Sequence, residues 1–149
     1  MKENALVDFS KQFAVDIVNI CTDIKEHRKS NVLLNQLLRS GTSVGANIHE
    51  ANYASSKADF VNKLQIALKE SSETGYWLEI LHKAHYIDES SYKKLNDVCT
   101  SLRVMLISSI RAGLTIPTLH ATAFSFTSKN NSSRRFSESF LESFKYKMT

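Results

Sequence analysis

Four amphipathic segments, separated by only a few polar residues, constrain the fold of this chain more than any other feature. In the first segment, over residues 5–27, apolar residues recur at intervals of three and four: Leu6, Phe9, Phe13, Ile17, Ile20 and Ile24. That spacing places them on one face of an α-helix, which must be buried against another element. Further segments of the same kind cover about 31–54, 57–84 and 89–114. Four glycines and one proline in 149 residues leave little to interrupt them.

The connections between these segments are short and carry helix-capping residues. Ser30, Ser56 and Asp88 each stand where an N-cap is needed for the segment that follows. Pro117 prevents the fourth helix from continuing, because proline lacks a backbone N–H and clashes with the preceding turn. Helices joined by such short connections pack antiparallel to their sequence neighbours. We therefore predict an all-α fold, an antiparallel up-down-up-down four-helix bundle over residues 1–115.

The second segment contains Gly41 and Gly45, and a glycine inside a helix costs about 1 kcal/mol relative to alanine. With Ser43, Ala46 and Ala51 they form a patch of small residues that allows a neighbouring helix, or a neighbouring subunit, to come close. The alternative is a break near Gly41 that divides the segment into two shorter helices. We predict a continuous helix with a close contact at this patch.

Residues 116–149 differ from the rest in composition and charge. They hold most of the net charge of +4, with a net of +3 against +1 for residues 1–115. The stretch to residue 133 is rich in Ser, Thr and Asn, which is typical of a loop or of disorder. Beyond it, phenylalanines recur at intervals of four: Phe136, Phe140 and Phe144. We expect this tail to be either disordered or a short helix, over 134–146, that docks onto a partner.

The sequence contains no pattern typical of catalysis or of cofactor binding. A carboxylate-bridged metal site in a bundle needs Glu-x-x-His on two helices, and the sequence has one such pair, Glu79 and His82. No glycine-rich phosphate loop is present. His82 and His85 lie near the end of the third segment, where histidine is favourable against the helix dipole, so a metal site there is the weaker interpretation. Cys21 and Cys99 are far apart and in apolar surroundings, which favours two reduced core cysteines. We expect no cofactor, no metal and no enzymatic activity. Without a signal-peptide pattern or a membrane-spanning apolar run, we expect a cytoplasmic protein.

A set of polar and aromatic residues accompanies the most distinctive stretches of the chain. We predict a structural polar network, in which the second-segment residues meet acids of the third: Arg39, Asn47, Glu50, Lys69, Glu70 and Glu73. The alternative is that these residues are separately solvated. Tyr76 and Trp77 are adjacent and so cannot both face the core, since successive helix positions differ by ~100°. One of them is free to face a neighbouring subunit, or to lie flat on the surface.

These stretches also resemble a known family. Residues 37–51 (LLRSGTSVGANIHEA), 66–70 (IALKE) and 73–78 (ETGYWL) are similar to the bacterial family of proteins encoded in intervening sequences of 23S rRNA genes. The resemblance covers roughly residues 5–114. It implies a four-helix bundle that assembles as a homopentamer. It also implies a distant kinship with the accessory proteins of diversity-generating retroelements, which are basic pentamers that bind nucleic acid and a reverse transcriptase.

The function that we predict is that of a non-enzymatic, self-assembling scaffold or adaptor, pentameric by resemblance, with no membrane or small-molecule partner. A ring requires two different faces of the protomer to meet. The candidate interface comprises the small-residue patch and the aromatic end of the third helix: Gly41, Gly45, Tyr76 and Trp77. The alternative is a nucleic-acid-binding accessory protein that acts on RNA or DNA, with or without a reverse transcriptase. Its contact residues would be the following cations: Arg28, Lys29, Arg39, Lys129, Arg134, Arg135, Lys145 and Lys147.

Overall fold

The protein forms four α-helices that pack in chain order. The structure, a computed structural model, describes residues 5–27 and 32–115. Helix α1 is Ala5–His27, α2 is Val32–Ala51, α3 is Lys57–Lys83 and α4 is Glu89–Thr115. Each helix packs against the next one in the chain, and α1 also contacts α4, although far more sparsely. The described residues include no strand. The predicted all-α four-helix bundle is confirmed, while the Ser30 cap and the tail beyond residue 115 lie outside the described residues.

The apolar stripes that define the segments form the core. The residues with almost no exposed surface come from all four helices, and the largest are Phe13, Ile17, Leu34, Leu37, Ile48, Phe60, Leu64, Leu78, Leu81, Leu102 and Leu106. Burying each of these side chains contributes roughly 1.5–3 kcal/mol relative to leaving it in water. Because the stripes converge on one axis, the helices cannot separate without exposing them together.

Helix α2 continues through both of its glycines, as predicted, and the glycines make its contact with α1 possible. A Cβ placed on Gly41 would lie 2.9 Å from two carbons of Ile17, and one on Gly45 would lie 3.3 Å from the carbonyl oxygen of Ser10. Ile17 and Ser10 both belong to α1 and are fully buried. The close approach is therefore made within the chain. This corrects the assignment of Gly41 and Gly45 to an interface between subunits.

Capping fixes the ends of α3 and the start of α4. The Ser56 side chain accepts a hydrogen bond from the N–H of Asp59, and the Asp88 carboxylate accepts one from the N–H of Ser91. Both caps are confirmed. The end of α3 was not foreseen: the N–H groups of His85 and Tyr86 donate to the carbonyls of His82 and Leu81. This pair of bonds is a Schellman motif, which requires a left-handed residue, and His85 has φ 60°.

Replacing His85 by glycine is expected to stabilise the protein. Glycine adopts the left-handed conformation without the steric cost that a Cβ imposes, and the exposed histidine side chain contributes little there. We expect the free energy of unfolding in urea to rise by about 0.5–1 kcal/mol. His85→Val is the control, since a β-branched residue fits this conformation worst, and it should lower stability. Equal stability of the two variants would contradict the strained conformation.

Candidate functional site

A charged cluster joins α2 to α3 at the middle of the bundle. The Arg39 guanidinium donates to Oε1 of Glu73, and its Nη1 lies 3.6 Å from Oε2 of Glu70. Trp77 donates from Nε1 to the same Glu73 oxygen at 3.2 Å. The hydrogen bonds from Arg39 and then from Trp77 hold the pKa of the Glu73 carboxyl below its usual range. The predicted network between Arg39 and these acids is thus present as an interhelical clamp.

A second ion pair closes the same α2–α3 seam nearer the connection between the two helices. Lys63 of α3 lies with its Nζ 2.5 Å from Oε2 of Glu50. Lys63 was missed by the sequence analysis, although the antiparallel register points to it. Moving eleven positions along α2, from Arg39 to Glu50, corresponds to moving ten positions back along α3, from Glu73 to Lys63. Once the Arg39–Glu73 pair is known, the antiparallel register therefore predicts the Glu50–Lys63 pair.

Two members of the predicted network do not join it. Asn47 donates from its side chain to the carbonyl oxygen of Ser43, 2.9 Å away in its own helix, rather than to an acid of α3. Lys69 is exposed, and the described residues provide no ion-pair partner for it. It also does not pair with Glu73 four positions later, because the Glu73 carboxylate turns toward α2. These two predictions were wrong, and for the same reason: helical spacing alone does not fix the direction of a polar side chain.

The clamp should be measurable as an energetic coupling between its two ends. In a double-mutant cycle on Arg39→Ala and Glu73→Ala, we expect the double variant to lose less stability than the two single variants together. Arg39 is half exposed, so salt screens the pair and the coupling should shrink between about 50 and 500 mM NaCl. The matched control pairs Lys69→Ala with Glu73→Ala. A coupling for Arg39 no larger than for Lys69 would contradict the clamp.

The two adjacent aromatics of α3 face different surroundings. Trp77 packs against the core and reaches Glu73, whereas Tyr76 is 55% exposed. Their rings meet edge to face, with centroids 5.0 Å apart. Trp77 thereby belongs to the protomer's own structure, and of the residues predicted for an interface only Tyr76 remains on an open surface.

The two cysteines are buried and engaged inside the bundle. The Cys99 thiol donates to the carbonyl oxygen of Ser71 at 3.1 Å, which ties α4 to α3. The Cys21 thiol lies 3.8 Å from the carbonyl oxygen of Leu34. Burial raises the pKa of Cys21 to about 11 and that of Cys99 above its usual range. Neither thiol is therefore an available nucleophile near neutral pH.

The raised pKa of Cys21 predicts a loss of stability in alkali. The unfolded chain releases this proton near pH 9, whereas the folded chain holds it to about pH 11, so stability falls as pH rises through that window. This difference in pKa between the folded and unfolded chain corresponds to roughly 2–3 kcal/mol in the free energy of unfolding. We expect Cys21→Ala to lose less stability between pH 8.5 and 10.5 than the unmodified chain does. Parallel pH curves for the two proteins would contradict this linkage.

The histidines at the end of α3 are not arranged as a metal site. His82 contacts Glu89 across the connection to α4, with 2.9 Å between Nε2 and Oε2, and stacks on the ring of Tyr92. His85 is the left-handed residue of the Schellman motif that ends α3. Within residues 5–27 and 32–115, no three His, Cys, Asp or Glu side chains are grouped as a metal site would need. No helix in those ranges is long and apolar enough to span a bilayer.

Two opposite faces of the bundle carry exposed apolar residues. On α1, Val15 and Val18 are 49% and 43% exposed. Ile17 of the same helix faces the core, and Val15 and Val18 lie on the side of it that faces away from α4. On α4, Val104 and Ile107 are 51% and 39% exposed, on the side away from α1. Asp23 of α1 and Ser91 of α4 line the same cavity and so are nearly level. In that antiparallel register Val104 and Ile107 lie ~10 Å further toward the end of the bundle that holds Thr115 than Val15 and Val18 do.

Comparisons with known proteins agree with this architecture. A family model described as 23S rRNA-intervening sequence protein matches residues 2–108, which include α1 to α3 and most of α4. Among solved structures, a protein of unknown function from the S23 ribosomal protein family of Bacteroides thetaiotaomicron VPI-5482 is similar. It is 49% identical with a TM-score of 0.70, and the match covers 71% of this chain and 98% of that chain. No curated protein matches significantly. The chain belongs to the 23S rRNA-intervening sequence protein family.

Proposed function

We propose that the protein is a non-enzymatic scaffold or adaptor that assembles into a closed homo-oligomeric ring, with five protomers as the expected number. The contact is heterologous: the α1 face with Val15 and Val18 of one protomer meets the α4 face with Val104 and Ile107 of the next. The observation that carries this proposal is the exposure of apolar residues on two different, opposite faces of one protomer. Two different faces that meet between protomers generate a ring when the rotation from one protomer to the next closes.

The composition of these faces supports contact with protein. The exposed aliphatic pairs on α1 and α4 supply apolar area that a contact between protomers would remove from water. Tyr76 of α3 is exposed and adds an aromatic residue of the kind enriched at interface centres. The charged groups of the α2–α3 seam form ion pairs with each other, and the thiols are buried, so these residues offer structural rather than catalytic chemistry.

The oligomeric mass tests the proposal. Light scattering on the full chain, over a range from about 1 to 100 µM, should give a mass near five times the 16.8 kDa of one chain. Ile107→Asp places a charge at the centre of the α4 face and should yield monomers with unchanged helicity. Ser101→Asp, an exposed position elsewhere on α4, is the matched control and should retain the assembly. A monomeric unmodified chain at 100 µM would overturn the proposed function.

A second candidate, a nucleic-acid-binding accessory role, is favoured by the charge of α4. From residue 98 to its end this helix has two arginines, Arg103 and Arg111, and no acidic residue. Arg39 supports this candidate less than predicted, because two carboxylates already engage it. Arg28, Lys29 and the tail cations lie outside the described residues. Binding to single-stranded RNA or duplex DNA at about 50 mM salt, weakening steeply as salt rises, would establish this role.

A further inference from the structure

The side of the bundle between α1 and α4 is open. These two helices share much sparser contacts than the other three neighbouring pairs. Apolar side chains that flank the core here remain partly exposed: Phe9 and Ile20 on α1, Val98 and Met105 on α4. We call this surface the α1–α4 groove. Its α1 wall also carries two carboxylates, those of Asp16 and Asp23.

The contacts of each helix place these residues on the groove. On α1, Ile20 and Asp23 line a cavity together with Ser91 at the start of α4. Phe9 and Asp16 lie on the same flank, because spacings of three, four and seven return to one side of a helix. On α4, Cys99 bonds to α3. Val98 and Met105, which are one heptad apart, lie ~100° round the helix from Cys99. They therefore face the other adjacent helix, α1.

The cavity forms the end of the groove nearest the connection between α3 and α4. It has a volume of about 320 Å³ and lies among Ile20, Asp23 and Ile24 of α1 and Tyr86, Asp88 and Ser91. That volume is at the small end of the range for ligand pockets and suits one aromatic side chain. The surface is thus an apolar trough with acidic groups along one wall and an aromatic-sized pocket at one end.

We propose that the groove binds residues 134–146 of the chain's own C-terminal segment as a fifth, amphipathic helix. Phe136, Phe140 and Phe144 are spaced by four, which places them on one helix face as the anchors of a helix-in-groove contact. The cations of this segment would face the acidic wall of α1. They are Arg134 and Arg135 at its start, with Lys145 near its end.

The length of the chain and its charge fit this occupant. Helix α4 ends at Thr115, and the 18 residues up to Arg134 span as much as ~60 Å when extended. The groove is only ~40 Å long, so the segment reaches every part of it. Helix α1 has four acidic residues and two basic ones, whereas residues 116–149 have five basic and two acidic ones. A tether of this length also supplies a high effective concentration, on the order of millimolar.

This inference concerns the present chain rather than its family. The family match ends at residue 108. The matched part covers 98% of the Bacteroides thetaiotaomicron chain, which leaves almost no counterpart there for residues 116–149. The bound segment and the ring interface also use different surfaces, since the groove lies between the two exposed apolar faces. Failure of one proposal therefore leaves the other standing.

Methyl NMR on the full chain tests the proposal, because one of its three methionines, Met105, lies in the groove. With ¹³C-labelled methionine methyls, we expect NOEs between the Met105 methyl and phenylalanine rings of the tail. Phe140→Ala with Phe144→Ala should abolish these NOEs and shift the Met105 resonance. The matched control, Phe124→Ala with Phe126→Ala, should change neither. Far-UV circular dichroism verifies that the bundle is intact in each variant.

Three results decide between occupants. An unchanged Met105 resonance in Phe140→Ala with Phe144→Ala overturns the proposal. In a mixture of labelled and unlabelled chains, filtered NOEs that appear only between copies also overturn it, since the tail would then occupy a second protomer. NOEs within one chain, weakened by Asp16→Lys with Asp23→Lys and by about 500 mM salt, establish the fifth helix and its charge contribution.

Discussion

Replacing Gly41 by leucine is expected to destabilise the protein by about 3 kcal/mol or more, although leucine is the better helix former. Even a lone Cβ at this position would lie 2.9 Å from both Cγ carbons of Ile17. Ile17 is fully buried and β-branched, so its side chain cannot rotate away from the intruding atoms. Helix α1 must then move off α2. Urea unfolding followed by circular dichroism measures the loss.

Gly75 provides the matched control within the same bundle. A Cβ there would meet no heavy atom closer than the Arg103 guanidinium at 3.7 Å, which is ordinary contact. Gly75→Ala should therefore stabilise the protein by about 0.5–1 kcal/mol through helix propensity alone. Combining Ile17→Ala with Gly41→Leu should cost less than the two changes separately. A Gly41→Leu variant as stable as Gly75→Ala would contradict the close packing of α1 on α2.

Replacing Phe13 by alanine is expected to cost about 3–5 kcal/mol, which is a large part of the stability of a domain of this size. Phe13 is fully buried at the centre of the α1 stripe, and its removal leaves a cavity that rigid neighbouring helices fill only in part. Thermal or urea unfolding should show the loss with helicity retained at low temperature.

A residue two positions along the same helix is the control for this substitution. Val15 is half exposed, so Val15→Ala should change the stability of the isolated protomer by less than about 0.5 kcal/mol. Comparable losses for Phe13→Ala and Val15→Ala would mean that the α1 stripe does not face the core. Measurements at low protein concentration keep any effect of Val15 on assembly separate from folding.

The helical pattern was sufficient to predict the fold, because burial of an apolar stripe leaves few alternatives once connections are short. The four segments match the helices closely, and α2 ends at Ala51 instead of near residue 54. Sequence could not show that Gly41 serves α1 rather than a second subunit. Both uses require a small residue, and only the contact with Ile17 distinguishes them. The left-handed His85 was missed for a related reason, since glycine is the residue that normally marks such a turn.

The candidate site was predicted in part. Arg39 and Glu73 were identified as partners, and the structure joins them. Asn47 was misassigned, because an amide that can bond to its own helix competes with any partner across the seam. The apolar faces on α1 and α4 were not identified at all. Val15, Val18, Val104 and Ile107 look like ordinary extensions of the stripes, and only their exposure in the bundle separates them from the core.

A mixing experiment tests the heterologous ring most directly. Val15→Asp blocks the α1 face and leaves the α4 face intact, whereas Ile107→Asp does the reverse. Each variant alone should be monomeric. Mixed in equal amounts, they should form a dimer and nothing larger, because one intact face of each kind is then available. Native mass spectrometry of the mixture should show twice the 16.8 kDa chain mass. A mixture that remains monomeric, or a single variant that still assembles like the unmodified protein, would contradict the ring.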